Sequence, residues 1–412
     1  MKTEVLRHLP NALRSSFHRV ATTRIVSTSY RVIFLTRQRI AAALWSKFSR
    51  GVGSRTSFVT DPRSTPQSIL IVITGLIGDS VMCLPLVSAT RQLWPMAHIA
   101  VLCRTYTVPL FETVSEVDEL IVARYYPQSI RGIRSNRRLQ KQIAEGRFDL
   151  ALVGLGSPFG TQLVRSRIPV RVGELETPSA PLFTHHYSAG SPRTVGPSQR
   201  LDALRALGAE PKLEFPRLVP TQAARDSIMK LLAVKGVSFG TSLIVLHPFG
   251  STRRQHWPLS LAAELAVSLS TLPNCQTILV GGPETRAESL SDSAYPSLPW
   301  IDFRGQCTLD QLIALIELAT VIVSTDSGPF HLAGCQNRPI LGLFRSSRSE
   351  HSGHYPSAQS LLGFDQRCTD VCRWDWCTCD PCHQMSQITP ANVIASLRRL
   401  VPQLFGEMWP CR

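Results

Sequence analysis

Residues 321–334, VIVSTDSGPFHLAG, gather the residue types that anion chemistry needs. An apolar run, Val321-Ile322-Val323, ends at Ser324-Thr325-Asp326-Ser327-Gly328, and Pro329 stands where a helix can begin, ahead of Phe330 and His331. Such a strand end delivers a carboxylate, hydroxyls and open backbone amides to one spot. Amides at a helix start attract phosphate. The pattern predicts a phosphate or diphosphate site, although the same residues also suit an ordinary helix cap.

Three further stretches carry comparable chemistry. In Thr74-Gly75-Leu76-Ile77-Gly78-Asp79 two glycines precede a carboxylate at the mouth of a helix. The loop is neither a dinucleotide fingerprint nor a P-loop, and Asp79 fits either a general base or a cap. Residues 247–258, HPFGSTRRQHWP, hold Arg253 and Arg254, whose guanidinium forks match phosphate oxygens; a solvated basic turn would look the same. Glu284 follows Gly281-Gly282-Pro283, where an acid can bind ribose hydroxyls or complement a helix dipole. Near the end, Cys368, Cys372, Cys377, Cys379 and Cys382 cluster beside Trp374 and Trp376. Zinc takes four such ligands, but the spacing is not that of a zinc ribbon, and disulfide chemistry or free thiols fit as well.

The elements that must position these residues alternate between strand and helix patterns. Ile69–Ile73, His98–Cys103, Leu120–Val122 and Leu150–Val153 read as strands, and Ser80–Trp94 and Asn136–Gly146 as helices. Residues 173–200, with Pro178, Pro181, Pro192 and Pro197, read as a loop or lid. A helix is expected over Pro197–Leu207 and a linker over 208–221. The scheme then repeats. Leu243–Leu246, Thr277–Val280, Val321–Val323 and Ile340–Leu343 are strands, and Pro258–Ser270 and Leu309–Leu318 are helices. This is the pattern of α/β doubly wound parallel sheets, and two such halves leave a cleft suited to a ligand.

With 412 residues and 43% hydrophobic content the chain has the size of two globular domains, and no apolar run reaches membrane-spanning length. The net charge of +15 is uneven: residues 1–63 carry twelve Lys/Arg against Glu4 and Asp61. This extension reads as a basic amphipathic helix for an anionic membrane surface, a targeting peptide or a solvated arm. No nucleic-acid module accompanies the charge, so no nucleic-acid partner is expected. Cys83, Cys103, Cys275, Cys307 and Cys335 sit in apolar contexts and are expected in the core. No secretory signal is evident, which makes a reducing compartment the default.

Taken in order, GxxGD, HPxxS…WP, GGPE and VSTDSGPFHLAG resemble the bacterial heptosyltransferase-type glycosyltransferases of family 9, over roughly residues 67–405. The resemblance implies a GT-B fold, two Rossmann-like domains facing a central cleft. Residues 64–215 would be the acceptor domain, 216–388 the nucleotide-sugar domain with the Cys-rich segment, and 389–412 a C-terminal helix and tail. It implies inverting, metal-independent transfer of a heptose-like sugar from an ADP-heptose-like donor to a lipid-linked or core glycan of lipopolysaccharide type. No cofactor is required, and the place would be the cytoplasm or the cytoplasmic face of the inner membrane. By motif, Asp79 would be the base, with Gly75 and Gly78 in the acceptor-side loop. Asp326 would contact the sugar, while Ser327, Gly328 and His331 would surround the diphosphate. Glu284 would hold ribose, and Ser251 and Thr252 would face the phosphates. Family members commonly carry Lys two residues before the Trp of the WP pair, where this chain has Gln255; Arg253 or Arg254 would have to supply that charge. A nucleotide-sugar epimerase on the same scaffold and a non-catalytic binding relative are the alternatives, because fold alone does not set function.

Overall fold

The computed structural model describes residues 65–124, 130–154, 159–177, 179–188, 196–288, 300–345, 355–363 and 382–406. The basic extension 1–63 and Cys368, Cys372, Cys377 and Cys379 lie outside these described residues.

Two six-stranded sheets organise the chain. The first contains β1 (Ser68–Val72), β2 (His98–Arg104), β3 (Glu119–Ala123), β4 (Leu150–Val153), β5 (Val170–Glu174) and β6 (His185–Tyr187), in the order β3-β2-β1-β4-β5-β6. The second contains β7 (Ser242–His247), β8 (Cys275–Leu279), β9 (Ile301–Asp302), β10 (Val321–Thr325), β11 (Ile340–Arg345) and β12 (Ala358–Gly363), in the order β12-β11-β10-β7-β8-β9. Every pairing is parallel. Each sheet therefore starts at its centre, winds outward, returns and winds the other way, which is the doubly wound Rossmann order. Strands covered on both faces need apolar side chains on both faces. That requirement explains the unbroken runs Leu70–Val72 and Val321–Val323, all fully buried.

The helices that matter for the site are α1 (Ile77–Met82), α2 (Leu84–Leu93), α3 (Ile130–Glu145), α4 (Gln222–Val234), α5 (Leu259–Ser270), α6 (Leu309–Leu318), α7 (Gly328–Cys335) and α8 (Pro390–Leu400). One apolar core is continuous from Ile71 and Val101 in the first sheet, through Leu218 and Ile228, to Ile322 in the second. The outer faces have their own clusters, one under α3 around Ile143 and Phe148 and one under α5 and α8 around Trp257 and Val393. Across the middle, α1 of the first half packs on α7 of the second, and within the second half α4 packs on α6.

Several sequence expectations change. The helix expected over Ser80–Trp94 is two helices that meet at Cys83, whose N–H reaches Asp79 O (3.2 Å) and Ser80 O (3.1 Å). Pro85, at the start of α2, has no N–H to continue the ladder, so the chain turns there. The expected loop over 173–200 contains the short edge strand β6, and its first residues end β5. The helix expected over Pro197–Leu207 is two single turns, Pro197–Arg200 and Asp202–Arg205. Helix α4, begun by Thr221 Oγ1 accepting Ala224 N–H (3.1 Å), follows the linker.

Candidate functional site

A cleft of about 1300 Å³ opens between the carboxyl ends of the two sheets. Its first wall is the β1–α1 loop with Met82 and Tyr106; its second wall comes from the loops after β7, β8 and β10.

On the first wall Asp79 is the third residue of α1, and its Oδ2 accepts the Leu76 N–H at 3.1 Å. Its carboxylate is thus fixed by the helix it helps to begin, and both the capping and the cleft-side readings of this residue apply. Gly75 has no side chain because a Cβ there would sit 2.5 Å from Asp79 Cβ. The Tyr106 hydroxyl donates to Gly75 O at 3.0 Å and steadies the loop.

The second wall is built around the point where the strand order reverses. Neighbouring strands β7 and β10 place His247 opposite Ser324. There the Ser327 hydroxyl lies 3.0 Å from each of His247 Nδ1, Ser324 Oγ and Thr325 O. Burial, reinforced by nearby His256, pushes His247 down to about 3, so it is a neutral imidazole at physiological pH. The Thr325 hydroxyl donates to Phe249 O at 2.7 Å and ties the β7 loop to β10. Ser327 is the extended residue that precedes α7, so the start of α7 at Gly328 and Pro329 borders the cleft beside Asp326; N–H groups of a first helical turn lack helical partners, and Pro329 has none to offer.

His331, on the next turn of α7, is 3% exposed yet borders the cleft. Its Nδ1 is 3.0 Å from the Tyr355 hydroxyl and its Nε2 is 3.6 Å from Asp326 Oδ1. Gly78 presses against the ring from the opposite wall: a Cβ there would lie 2.7 Å from His331 Cδ2. Gly328 meets Ile77 in the same seam.

In the loop after β7, Gln255 is buried and folds into its own turn. Its Oε1 accepts from the Ser251 hydroxyl (2.6 Å) and from Thr252 N–H (3.2 Å). A backbone N–H can only donate, so the amide orientation is set and Nε2 lies on the far side from the turn. Ser251, Thr252 and Arg253 line the cleft, whereas Arg254 is not among its lining residues. His256 pairs with Glu288 at 3.2 Å and meets Gly250 O at 3.2 Å. Glu284, on the turn Pro283–Ala287, borders the cleft and folds back over the bare Cα of Gly282.

One cleft thus collects Gly78, Asp79, Ser251, Thr252, Arg253, Glu284, Asp326, Ser327, Gly328 and His331, with Gly75 behind Asp79. Cys382, the one described member of the cysteine cluster, is buried in the core under α5 and α8. Among the described residues no group of three His, Cys, Asp or Glu is placed to hold a metal. Three participants escaped the sequence reading. His247 stood in a quoted motif at a strand end, a position that could have flagged it. Tyr106 and Tyr355 carried no local signal, because only the fold brings them to Gly75 and His331.

The arrangement offers a carboxylate on one wall and, on the other, hydroxyls and imidazoles beside Asp326, Glu284 and Arg253, at the carboxyl ends of two doubly wound sheets. Known proteins resemble the chain in sequence and fold. The family model for glycosyltransferase family 9 (heptosyltransferase) matches residues 136–379, more than half of the chain. Lipopolysaccharide heptosyltransferase 2 of Salmonella typhimurium is 25% identical over 362 residues, covering 82% of this chain and 99% of that protein. Among solved structures, the family 9 glycosyl transferase from Veillonella parvula superposes with a TM-score of 0.69 at 19% identity, covering 83% of this chain and 98% of that one. The ADP-heptose lipopolysaccharide heptosyltransferase II of E. coli gives 0.65 at 22% identity, covering 82% and 99%.

Proposed function

This chain belongs to glycosyltransferase family 9, and from that premise we propose that it moves a heptose-like sugar from an ADP-heptose-type donor to a lipopolysaccharide core or related surface glycan. The reading includes inversion at the anomeric carbon, no catalytic metal and no cofactor beyond the donor substrate. The observation that carries it is the opposition, across one cleft, of Asp79 to the hydroxyls, amides and imidazole around Ser327 and His331.

The acceptor hydroxyl lies against Asp79, whose carboxylate takes the proton as the acceptor oxygen bonds to the anomeric carbon. The bond from that carbon to the diphosphate breaks in the same displacement, so the configuration inverts. The negative charge goes to the departing diphosphate. Donors aimed at developing charge in a partly desolvated site lower the barrier without a metal. The first-turn amides of α7, Ser327, His331, Ser251, Thr252 and Arg253 are the groups for that task. Asp326 holds the sugar and Glu284 the ribose hydroxyls.

Two of the named relatives are lipopolysaccharide heptosyltransferases, which supports a lipid-linked or core glycan acceptor and a place at the cytoplasmic face of the inner membrane. Among the described residues no helix is long and apolar enough to cross a membrane. The basic residues 1–63 are the segment for contact with an anionic surface.

The test is acceptor-dependent release of ADP from ADP-heptose. Asp79→Asn keeps the cap acceptor but not the base; turnover should fall about 10²- to 10⁴-fold with ADP affinity unchanged. Full turnover in this variant would remove Asp79 from the role.

A further inference from the structure

We propose that Tyr355 is the positioning residue of the donor site: its hydroxyl holds His331 in the tautomer that points an N–H from Nε2 toward Asp326 and the cleft. The proposal deepens the donor-site reading above and rests on it for its functional consequence.

Two contacts on opposite sides of one ring agree. On the buried side, Tyr355 Oη and His331 Nδ1 are 3.0 Å apart, and both residues are almost fully buried. The phenol is kept protonated, since burial raises its pKa well above the ordinary value, with nearby Cys335 and Asp326 adding to the effect. That proton needs an acceptor, and His331 Nδ1 is the partner at hydrogen-bond distance. If Nδ1 carried its own hydrogen, the phenol oxygen would have to accept it and turn its own proton elsewhere, and among the described residues the hydroxyl has no second partner to receive it. On the cleft side, Nε2 is 3.6 Å from Asp326 Oδ1. A carboxylate beside a bare nitrogen lone pair is repulsive, whereas beside an N–H it is attractive. Both neighbours select the same tautomer.

The position of Tyr355 is itself enforced. Its ring lies on the bare Cα of Gly334, one turn after His331 on α7, where a Cβ would collide with it. Phe330 meets it edge-on at 5.8 Å and Phe215, in the segment between the two sheets, at 5.3 Å. The ring of His331 is held between Phe330, Tyr355 and Gly78. A donor diphosphate entering the cleft then meets an N–H at Nε2 rather than a lone pair, without having to reorganise the ring.

The experiment uses the full chain labelled with ¹⁵N-histidine. Long-range proton–nitrogen correlations report the tautomer, and His331→Gln identifies the signals. Wild-type protein is expected to show the hydrogen on Nε2. Tyr355→Phe, which keeps the ring and its packing, is expected to show a mixture of tautomers and about five- to tenfold weaker ADP binding. A purely structural role would lower the melting temperature without moving the tautomer. A hydrogen on Nδ1 in the wild type overturns the proposal with no variant needed, and so does an unchanged tautomer in Tyr355→Phe. If the tautomer shifts while ADP binds both proteins equally, Tyr355 keeps its assignment and the donor reading of His331 fails.

Discussion

Arg253 and Arg254 are adjacent in sequence, but of the two only Arg253 lines the cleft. Arg253→Ala should therefore weaken ADP binding about three- to tenfold, the range for an exposed charge-assisted contact. Arg254→Ala should change it less than about twofold, and titration calorimetry separates the two; equal effects would mean that the turn rearranges around the donor. His247 makes a second prediction. Folded, it titrates near 3, whereas an unfolded histidine titrates near 6.5. Between those values unfolding takes up a proton, so stability falls as pH drops through the window, by up to about 1.4 kcal/mol per pH unit. Above the window the term is constant. His247→Gln should flatten the acid limb between pH 6.5 and pH 5 in urea titrations, and an unchanged limb would show that other groups control it. At this scale the sequence was informative wherever chemistry and backbone position coincide, as at Asp326, Ser327 and Asp79, which sit at strand ends or helix starts. It was silent on Tyr355, which reaches His331 from 24 positions away, and although it singled out Gln255 it did not show the inward fold onto Ser251 and Thr252.

At the scale of elements, the seam between α1 and α7 sets the geometry of the cleft. Gly78 and Gly328 let the two helices approach where a side chain would intervene. Gly78→Ala should push the His331 ring or part the walls, because the added methyl would fall 2.7 Å from Cδ2. We expect a loss of about 1–3 kcal/mol in stability and a larger loss in turnover than in ADP affinity. Denaturant unfolding together with steady-state kinetics checks both, and wild-type turnover in Gly78→Ala would show that the seam has slack. The central strands were legible because burial on both faces forces continuous apolar runs, and β4 and α6 have the limits that periodicity suggests. Edge strands β6, β9 and β12 were not. They span three, two and six residues, and even β12 is buried only at its last residue, so none makes a buried apolar run. The split between α1 and α2 also went unread, since the apolar pattern continues through Cys83 while Pro85 breaks only the hydrogen bonding.

At the scale of the whole molecule, a core shared between the sheets joins the halves while the cleft divides them at one end. The charge of the chain is divided as well. Most of the +15 belongs to residues 1–63, whereas the cleft walls present Asp79, Glu284, Glu288 and Asp326 against Arg253. On the proposed reading, a basic protein receives an anionic donor at a site whose described side chains are mainly acidic, and capture would depend on short-range amides and hydroxyls. Long-range fields and short-range donors respond differently to ionic strength. Between about 0.01 M and about 0.15 M salt the screening length contracts from about 30 Å to about 8 Å, which removes the distant attraction of the basic chain and leaves hydrogen bonds intact. The association rate of ADP, followed by stopped flow, should fall over that range while its dissociation rate holds. A dissociation rate that rises steeply with salt would show that charge, and not hydrogen bonding, retains the nucleotide. Under the prediction, the enzyme would keep its grip on a nucleotide sugar at salt concentrations where sites held together by long-range charge lose theirs.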